Sequence, residues 1–203
     1  MKKEQLRAKY LCRRQGMHTS IYHQQSQQVH ACFFRQFNMA HYTYLHTYLS
    51  CPVRQEVDTW SLVHTILGKH PEVMLASPKL LDRAGYMESY AIDQETTFQQ
   101  HPWGIQEPKN GTKMPAAAFV LVVLPVIAFD VRGYRVGYGQ GYYDRFLKQC
   151  RPNVVKVGLC FENPVTVIED HNTYDVPMDY CITPNQVFRW QHQDTRLSVG
   201  VHS

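Results

Sequence analysis

Phe119-Val120-Leu121-Val122-Val123-Leu124, followed after Pro125 by Phe129-Asp130-Val131-Arg132-Gly133-Tyr134-Arg135-Val136-Gly137-Tyr138-Gly139-Gln140-Gly141-Tyr142-Tyr143-Asp144-Arg145, is the stretch that decides the fold. Its opening apolar run has no alternation, which is the pattern of a central strand in a parallel sheet covered on both faces. The chain then turns at Arg132-Gly133, passes glycines at 137, 139 and 141, and enters a helix carrying Tyr142, Phe146, Leu147 and Cys150 at helical spacing. Alternate glycines let backbone N–H groups approach phosphate oxygens, and a helix N-terminus favours an anion. Strand, glycine loop and helix therefore describe a phosphate cradle, to which Arg135 can add a forked contact. The competing reading is a plain tight connection, because G-K-[ST] is absent and Tyr142 stands where G-x-G-x-x-G would end. Asp144 alone reads as an acidic residue complementing the first helical turn.

Outward from this segment, strands and helices alternate. Residues 3 to 37 read as two helices or one helix broken at Gly16, with Leu6, Tyr10 and Leu11 on one face and Val29, Cys32, Phe33 and Phe37 on another. Residues 43 to 49 favour a strand, and Asp58 or Thr59 caps a helix bearing Trp60, Val63, Ile66 and Leu67. Strands are expected at 73–76, 86–92, 154–161 and 180–183, and a polar loop at 93–100. The expectation is one three-layer α/β/α domain, Rossmann-like with a mostly parallel central sheet, over residues 1–190, with a polar, frayed tail over 191–203.

Composition narrows the function classes. The chain has 203 residues, 44% of them hydrophobic, enough for a buried core. Its formal net charge is +4, and no basic run exceeds Lys2-Lys3 or Arg13-Arg14, which argues against a nucleic-acid-coating surface. No window approaches the roughly 18 apolar residues of a membrane span, and the polar start is no signal sequence, so a soluble cytoplasmic protein is expected. The six cysteines are scattered and read as reduced thiols, several of them core filler. The eleven histidines form no ligand pattern.

The string from Phe129 to Arg145 resembles the signature of the 5-formyltetrahydrofolate cyclo-ligase family, F-D-x-x-G-x-R-[LV]-G-x-G-x-G-[YF]-Y-D-R, at every fixed position. Lys3-Glu4-Gln5-Leu6-Arg7 is similar to its N-terminal K-x-x-L-R, and Tyr48-Leu49-Ser50 with Glu56-Val57-Asp58-Thr59 to its strand, glutamate and threonine segment. Trp103 to Pro108 resembles its W-x-I-x-[EQ]-P, and Tyr174 to Asp179 with Thr183-Pro184 its C-terminal segment. The resemblance spans residues 3 to 190, more loosely between 60 and 100. It departs in two places: the segment from Ser50 to Glu56 is about two residues longer than the family's usual form, and Gln140 stands where Gly or Lys is common.

The resemblance implies a ligase of one-carbon folate metabolism that uses ATP and Mg²⁺ to close 5-formyltetrahydrofolate to 5,10-methenyltetrahydrofolate. ATP phosphorylates the formyl oxygen, N10 attacks, and phosphate leaves; positioning and charge neutralisation supply most of such catalysis. It further implies that Lys3, Arg7, Arg135, Gly137, Tyr138, Gly139, Gln140, Gly141, Tyr142 and Tyr143 hold ATP, with Arg135 and Tyr143 catalytic. Asp144 and Asp175 would bind Mg²⁺. Glu56, Trp103 and Tyr143 would meet the folate, in a part of the site separate from ATP. The partners are then the two small-molecule substrates, with no nucleic acid and no membrane, and the protein is a monomer. Without the resemblance, Lys3 and Arg7 read as a solvated helix face, Trp103 as core and Glu56 as a solvated residue before a helix. Two rival functions stay open: another ATP-using enzyme on the same scaffold, and a binding module that has lost catalysis.

Overall fold

The apolar run is the centre of the sheet. In the computed structural model, which describes residues 1–81 and 85–191, Leu121, Val122, Val123 and Leu124 are wholly buried. The elements run α1 (Lys3–Gln15), α2 (Thr19–Gln36), β1 (Tyr44–His46), α3 (Trp60–Lys69), β2 (Met74–Leu80), β3 (Met87–Ile92), β4 (Phe98–Gln100), β5 (Gln106–Pro108) and β6 (Lys113–Met114). They continue through β7 (Leu121–Pro125), β8 (Ala128–Phe129), β9 (Arg135–Val136), α4 (Tyr142–Leu147), β10 (Val155–Leu159), β11 (Tyr180–Ile182) and β12 (Val187–Arg189).

One sheet takes the order β12-β11-β10-β7-β1-β2-β3-β6, parallel from β11 to β2 and antiparallel at both ends. Leu121 stands level with Leu45 and Val155, so β7 lies between β1 and β10. One face buries Leu45, Leu75, Leu121 and Val123 against Val29 and Phe33 of α2 and Leu62 and Ile66 of α3. The opposite face buries Ala76, Val122 and Leu124 against Phe146 and Leu147 of α4, with Phe119 and Phe129 completing that layer. Alternation along β7 thus sends successive side chains into two cores, as a strand covered on both faces must. The fold is the expected mostly parallel α/β/α arrangement. Helix α1 stands apart from both layers, packing Leu6 and Tyr10 on Ile127, Ala128 and Val136 around the β8–β9 hairpin.

Several boundaries differ from the sequence expectation. The break at Gly16 makes α1 and α2 two helices. Strand β2 continues past Ala76 through Pro78, because Ala76 O is the last acceptor used by the β1 side, from Thr47 N–H, and the proline's missing N–H falls where that neighbour has ended. The stretch 93–100 is not all loop: Phe98–Gln100 pairs with Gln106–Pro108, and Phe98 packs edge-on against Trp60 at 5.1 Å. Asp58, rather than Thr59, caps α3, its carboxylate accepting Trp60 N–H at 2.9 Å. Helix α4 ends at Leu147, and Gln149 and Cys150 continue its turn through i→i−3 hydrogen bonds to Phe146 and Leu147. Cys32, Cys51, Cys160 and Cys181 are buried thiols. Among the described residues no helix is long and apolar enough to cross a membrane. Residues 192–203 of the expected tail lie outside the described residues.

His46, at the end of β1, is fully buried among Phe119, Phe146 and Tyr143, and neither ring nitrogen has a hydrogen-bond partner among the described residues. Burial lowers its pKa to about 3, so the ring is neutral in the folded protein. The unfolded chain protonates it near 6.5, so this contribution to stability is complete above that pH and is lost as pH falls toward 3. At pH 5 the loss amounts to about 2 kcal/mol. His46→Leu should flatten the decline between pH 7 and pH 5 by about that amount in urea unfolding. An unchanged pH slope in the variant would place the acid sensitivity elsewhere.

Candidate active site

A cleft of about 680 Å³ opens beyond the C-terminal ends of β1, β2 and β7, where Tyr48, Pro78 and Pro125 line its floor. That is where open α/β sheets hold ligands. Six cations (Lys3, Arg7, Arg54, Arg135, Arg145 and Lys148) and three carboxylates (Glu56, Asp144 and Asp175) line it, an excess of three positive charges that suits a polyanion.

The glycine loop forms one wall. Its three glycines differ in the reason for their small size. Gly139 has φ +92 and lies against the Arg7 guanidinium, which an added Cβ would meet at 3.2 Å. Gly141, φ +69, precedes α4. Gly137 has neither constraint: φ is ordinary and nothing lies within 4 Å of the position of a Cβ. Arg7 Nε donates to Gly137 O at 2.7 Å, tying α1 to the loop. Arg145 closes the far end, its guanidinium donating to Gln140 O and, at 2.7 Å, to Gly85 O.

Beside this wall the carboxylates are paired with cations. Arg135, its side chain only 7% exposed, donates through Nη2 to Asp144 Oδ1 at 2.8 Å and through Nη1 to Val176 O at 2.6 Å. Asp144 Oδ1 also accepts Val176 N–H at 3.0 Å, so Asp144 and the backbone next to Asp175 meet directly. Asp175 Oδ2 accepts Lys3 Nζ at 2.5 Å and Asn172 N–H at 2.7 Å. Asp144 Oδ2 and Asp175 Oδ1 make no hydrogen bond among the described residues. Two hard oxygens without hydrogen bonds at the mouth of a cationic cleft form a donor set that fits Mg²⁺ alongside a phosphate. They number two, and no group of three or more ligating side chains occurs among the described residues.

Across the cleft, Glu56 is buried at the end of the longer segment, its Oε2 accepting Cys51 N–H at 2.7 Å and its Oε1 accepting the Tyr138 hydroxyl at 2.6 Å. It is not the solvated residue of the plain sequence reading, and the Tyr138 hydroxyl links it to the glycine loop. Trp103 is not core: it is 47% exposed, with its ring edge-on to Tyr142 at 6.2 Å. The Tyr143 hydroxyl is buried without a hydrogen-bond partner among the described residues. Burial, and then the charge of Glu56, push the phenols of Tyr138 and Tyr143 far above their ordinary pKa, so both stay neutral. The lining cations absent from the sequence reading of the site are Arg54, Arg145, which closes the recognised string without a role there, and Lys148. Arg54 had a signal, since it sits in the longer Ser50–Glu56 segment; Lys148 lies past the recognisable string and had none.

Sequence comparison agrees with this geometry. The model of the 5-formyltetrahydrofolate cyclo-ligase family matches residues 1–184. The chain belongs to that family. A probable 5-formyltetrahydrofolate cyclo-ligase of Schizosaccharomyces pombe is 28% identical over 157 residues, covering 70% of this chain and 75% of that protein. The NMR structure of the Aquifex aeolicus 5,10-methenyltetrahydrofolate synthetase superimposes with a TM-score of 0.77 at 27% identity, covering 96% of this chain and 99% of that one. The Mycoplasma pneumoniae 5,10-methenyltetrahydrofolate synthetase shares the fold, with a TM-score of 0.68 at 19% identity over 91% of this chain and 99% of that one.

Gly133 and Gly137 provide a contrast within the cyclo-ligase signature. A Cβ at Gly133, φ +87, would stand 2.9 Å from Trp190 Cδ2 and 3.0 Å from Met178 O, so Gly133→Ala should cost about 2 kcal/mol or more in urea unfolding. Gly137→Ala should leave unfolding within about 0.5 kcal/mol of the parent, because nothing in the fold opposes the methyl group. Its effect should fall on ligand binding in the cleft. Equal destabilisation by both substitutions would mean that Gly137 serves the fold.

Proposed function

We propose that the protein is an ATP- and Mg²⁺-dependent 5-formyltetrahydrofolate cyclo-ligase that forms 5,10-methenyltetrahydrofolate, ADP and phosphate. The observation that carries this reading is the division of one cleft in a member of that family. Its glycine-loop side gathers cations and two carboxylates with spare oxygens; its other side carries a buried glutamate and an exposed tryptophan.

Closure of N10 onto the formyl carbon requires the loss of the formyl oxygen, which is too poor a leaving group as it stands. ATP phosphorylates that oxygen, giving an iminium phosphate; N10 then forms the new C–N bond and phosphate departs with the C–O electron pair. In this reading the loop from Gly137 to Gly141, with Tyr142 and Tyr143 after it, meets the phosphates through backbone N–H groups, and Lys3 and Arg7 balance their charge. The six-residue α4 is too short to contribute much dipole, so the loop and the cations dominate. Arg135 has five N–H donors and two engaged, leaving three for the phosphoryl group in transfer. Asp144 and Asp175 would hold Mg²⁺, which supplies charge neutralisation between phosphate oxygens. Glu56 would accept from the pterin N–H groups, Trp103 would lie against the ring, and the neutral Tyr143 hydroxyl, lacking a partner among the described residues, would serve the formyl group.

The same proposal takes the enzyme as a cytoplasmic monomer acting on small molecules.

The test is the absorbance of the methenyl product from purified protein, 5-formyltetrahydrofolate, ATP and Mg²⁺, with ADP formed one for one. Hydrolysis of ATP independent of the folate would sink the proposal. Arg135→Ala should lower turnover by about a hundredfold, on the order of 3 kcal/mol in the barrier, with the fold retained. Near-normal turnover would confine Arg135 to its pairing with Asp144. Asp175→Asn should raise the Mg²⁺ concentration needed for half-maximal rate, and an unchanged requirement would remove Asp175 from the metal site.

A further inference from the structure

The hydrogen bond from Tyr138 to Glu56 joins the two halves of the cleft. The Tyr138 backbone lies between Gly137 and Gly139, inside the loop assigned above to the phosphates, while its hydroxyl reaches Glu56 Oε1 at 2.6 Å. Glu56 is 5% exposed, and Cys51 N–H holds its second oxygen. Where this carboxylate points therefore depends on where the loop places one phenol.

A second contact holds that phenol from above. The Arg54 guanidinium lies 4.7 Å from the centre of the Tyr138 ring, a cation–π distance, and Nη2 donates to Trp103 O at 2.8 Å. Arg54 sits in a 3₁₀ turn, Pro52–Arg54, that ends at Gln55 with φ 45 and ψ 48. Gln55 is the one non-glycine residue with positive φ among the described residues, and its side-chain amide is anchored to Met17 O at 3.2 Å. A left-handed glutamine is uncommon and persists where its surroundings hold it. Here the path it imposes carries Arg54 over Tyr138 and against the carbonyl of Trp103.

We infer that Tyr138, braced by Arg54, is a positioning residue that couples occupancy of the glycine loop to the orientation of Glu56, so that nucleotide and formylfolate bind with positive cooperativity. The inference rests on the functional reading above and adds a direction of communication to it. Glycines on both sides leave the Tyr138 backbone soft, because two of its neighbours carry no side chain to restrict φ and ψ. Phosphates bound to the loop's N–H groups fix that backbone, and with it the hydroxyl that orients Glu56. A folate arriving second then meets a carboxylate already ordered and spends less of its binding free energy on ordering it. Linkage makes the effect reciprocal: the folate tightens the nucleotide by the same factor.

The measurement is the dissociation constant of 5-formyltetrahydrofolate, by titration calorimetry, with and without a non-hydrolysable ATP analogue and Mg²⁺. In the wild type the analogue should tighten the folate about tenfold. Tyr138→Phe keeps the ring and removes the hydroxyl; its ratio should fall to near one. Arg54→Met, a second variant that leaves Tyr138 in place, should reduce the ratio to about threefold. A merely structural role would weaken both arms equally and leave the ratio unchanged. A wild-type ratio of one, or a tenfold ratio retained in Tyr138→Phe, overturns the coupling while the cyclo-ligase reading stands. A wild type that binds the analogue and no formylfolate overturns both.

Discussion

One buried carboxylate holds the active side of this molecule together. Asp130 is wholly buried and accepts five hydrogen bonds: from the backbone N–H groups of Arg132, Tyr134 and Ile168, and from Nε and Nη2 of Arg132. A carboxylate taken out of water is tolerated only when its lone pairs are satisfied this fully. Four of the donors, from Arg132 and Tyr134, close the turn between β8 and β9, and β9 begins with Arg135; the Ile168 donor ties that turn to the segment running on to Asp175. Val131 N–H to Val165 O and Met178 N–H to Gly133 O fasten the same two stretches on either side. Arg135 and Asp175 are thus brought to one cleft by a group that is not itself in it.

From this anchor the cleft gains rigidity on one side and keeps unused capacity on the other. The wall made by Arg135, Asp144, Lys3 and Asp175 is cross-linked by charge-assisted hydrogen bonds at 2.8 and 2.5 Å, stronger than neutral ones. Gly137, by contrast, has open space where a side chain could stand, and the hydroxyl of Tyr143 is buried without a partner among the described residues. Folding alone favours neither feature: an alanine would be less flexible, and a phenylalanine would avoid an unpaired hydroxyl. Their location in the cleft, rather than elsewhere in the core, is what connects them with a ligand. The His46 ring, also without a hydrogen-bond partner among the described residues, lies deeper and is sealed by Phe119 and Phe146, so the same argument does not reach it.

What could be read from the chain follows from the range of each cause. The run Phe119 to Leu124 announced a central strand because burial on both faces removes alternation, a property of the segment alone. The glycine string was legible for the same reason, since backbone access is written in residue types. Pairings were not: Lys3 meets Asp175 across 172 positions and Tyr138 meets Glu56 across 82, and no spacing rule joins residues that far apart. Strand β4 was hidden because Gln99 and Gln100 are exposed and polar, and only Phe98 carries a strand-favouring side chain. Asp130 belonged to the recognised string, yet nothing there marked it as a buried anchor; its side chain is 0% exposed, against 25% for Asp144.

The pairing inside the cleft also bears on how the proposed reaction starts. Arg135 and Lys3 already face carboxylates, so neither cation stands fully hydrated before the nucleotide arrives. In the proposed complex the phosphates would take over part of the cations' contacts, and Asp144 and Asp175 would have their spare oxygens free for a metal ion. Each charge exchanges one partner for another instead of leaving water for the first time. The desolvation that makes a buried ion pair costly is met mostly during folding, where Asp130 and the sheet beneath it supply the stability, and only a small remainder falls on binding. The geometry is fixed in advance for the same reason: a guanidinium held at 2.8 Å by Asp144 and 2.6 Å by Val176 O has few orientations left to lose. A cleft with the same cations left unpaired would attract the anion more strongly at long range, but it would have to order those side chains during each turnover.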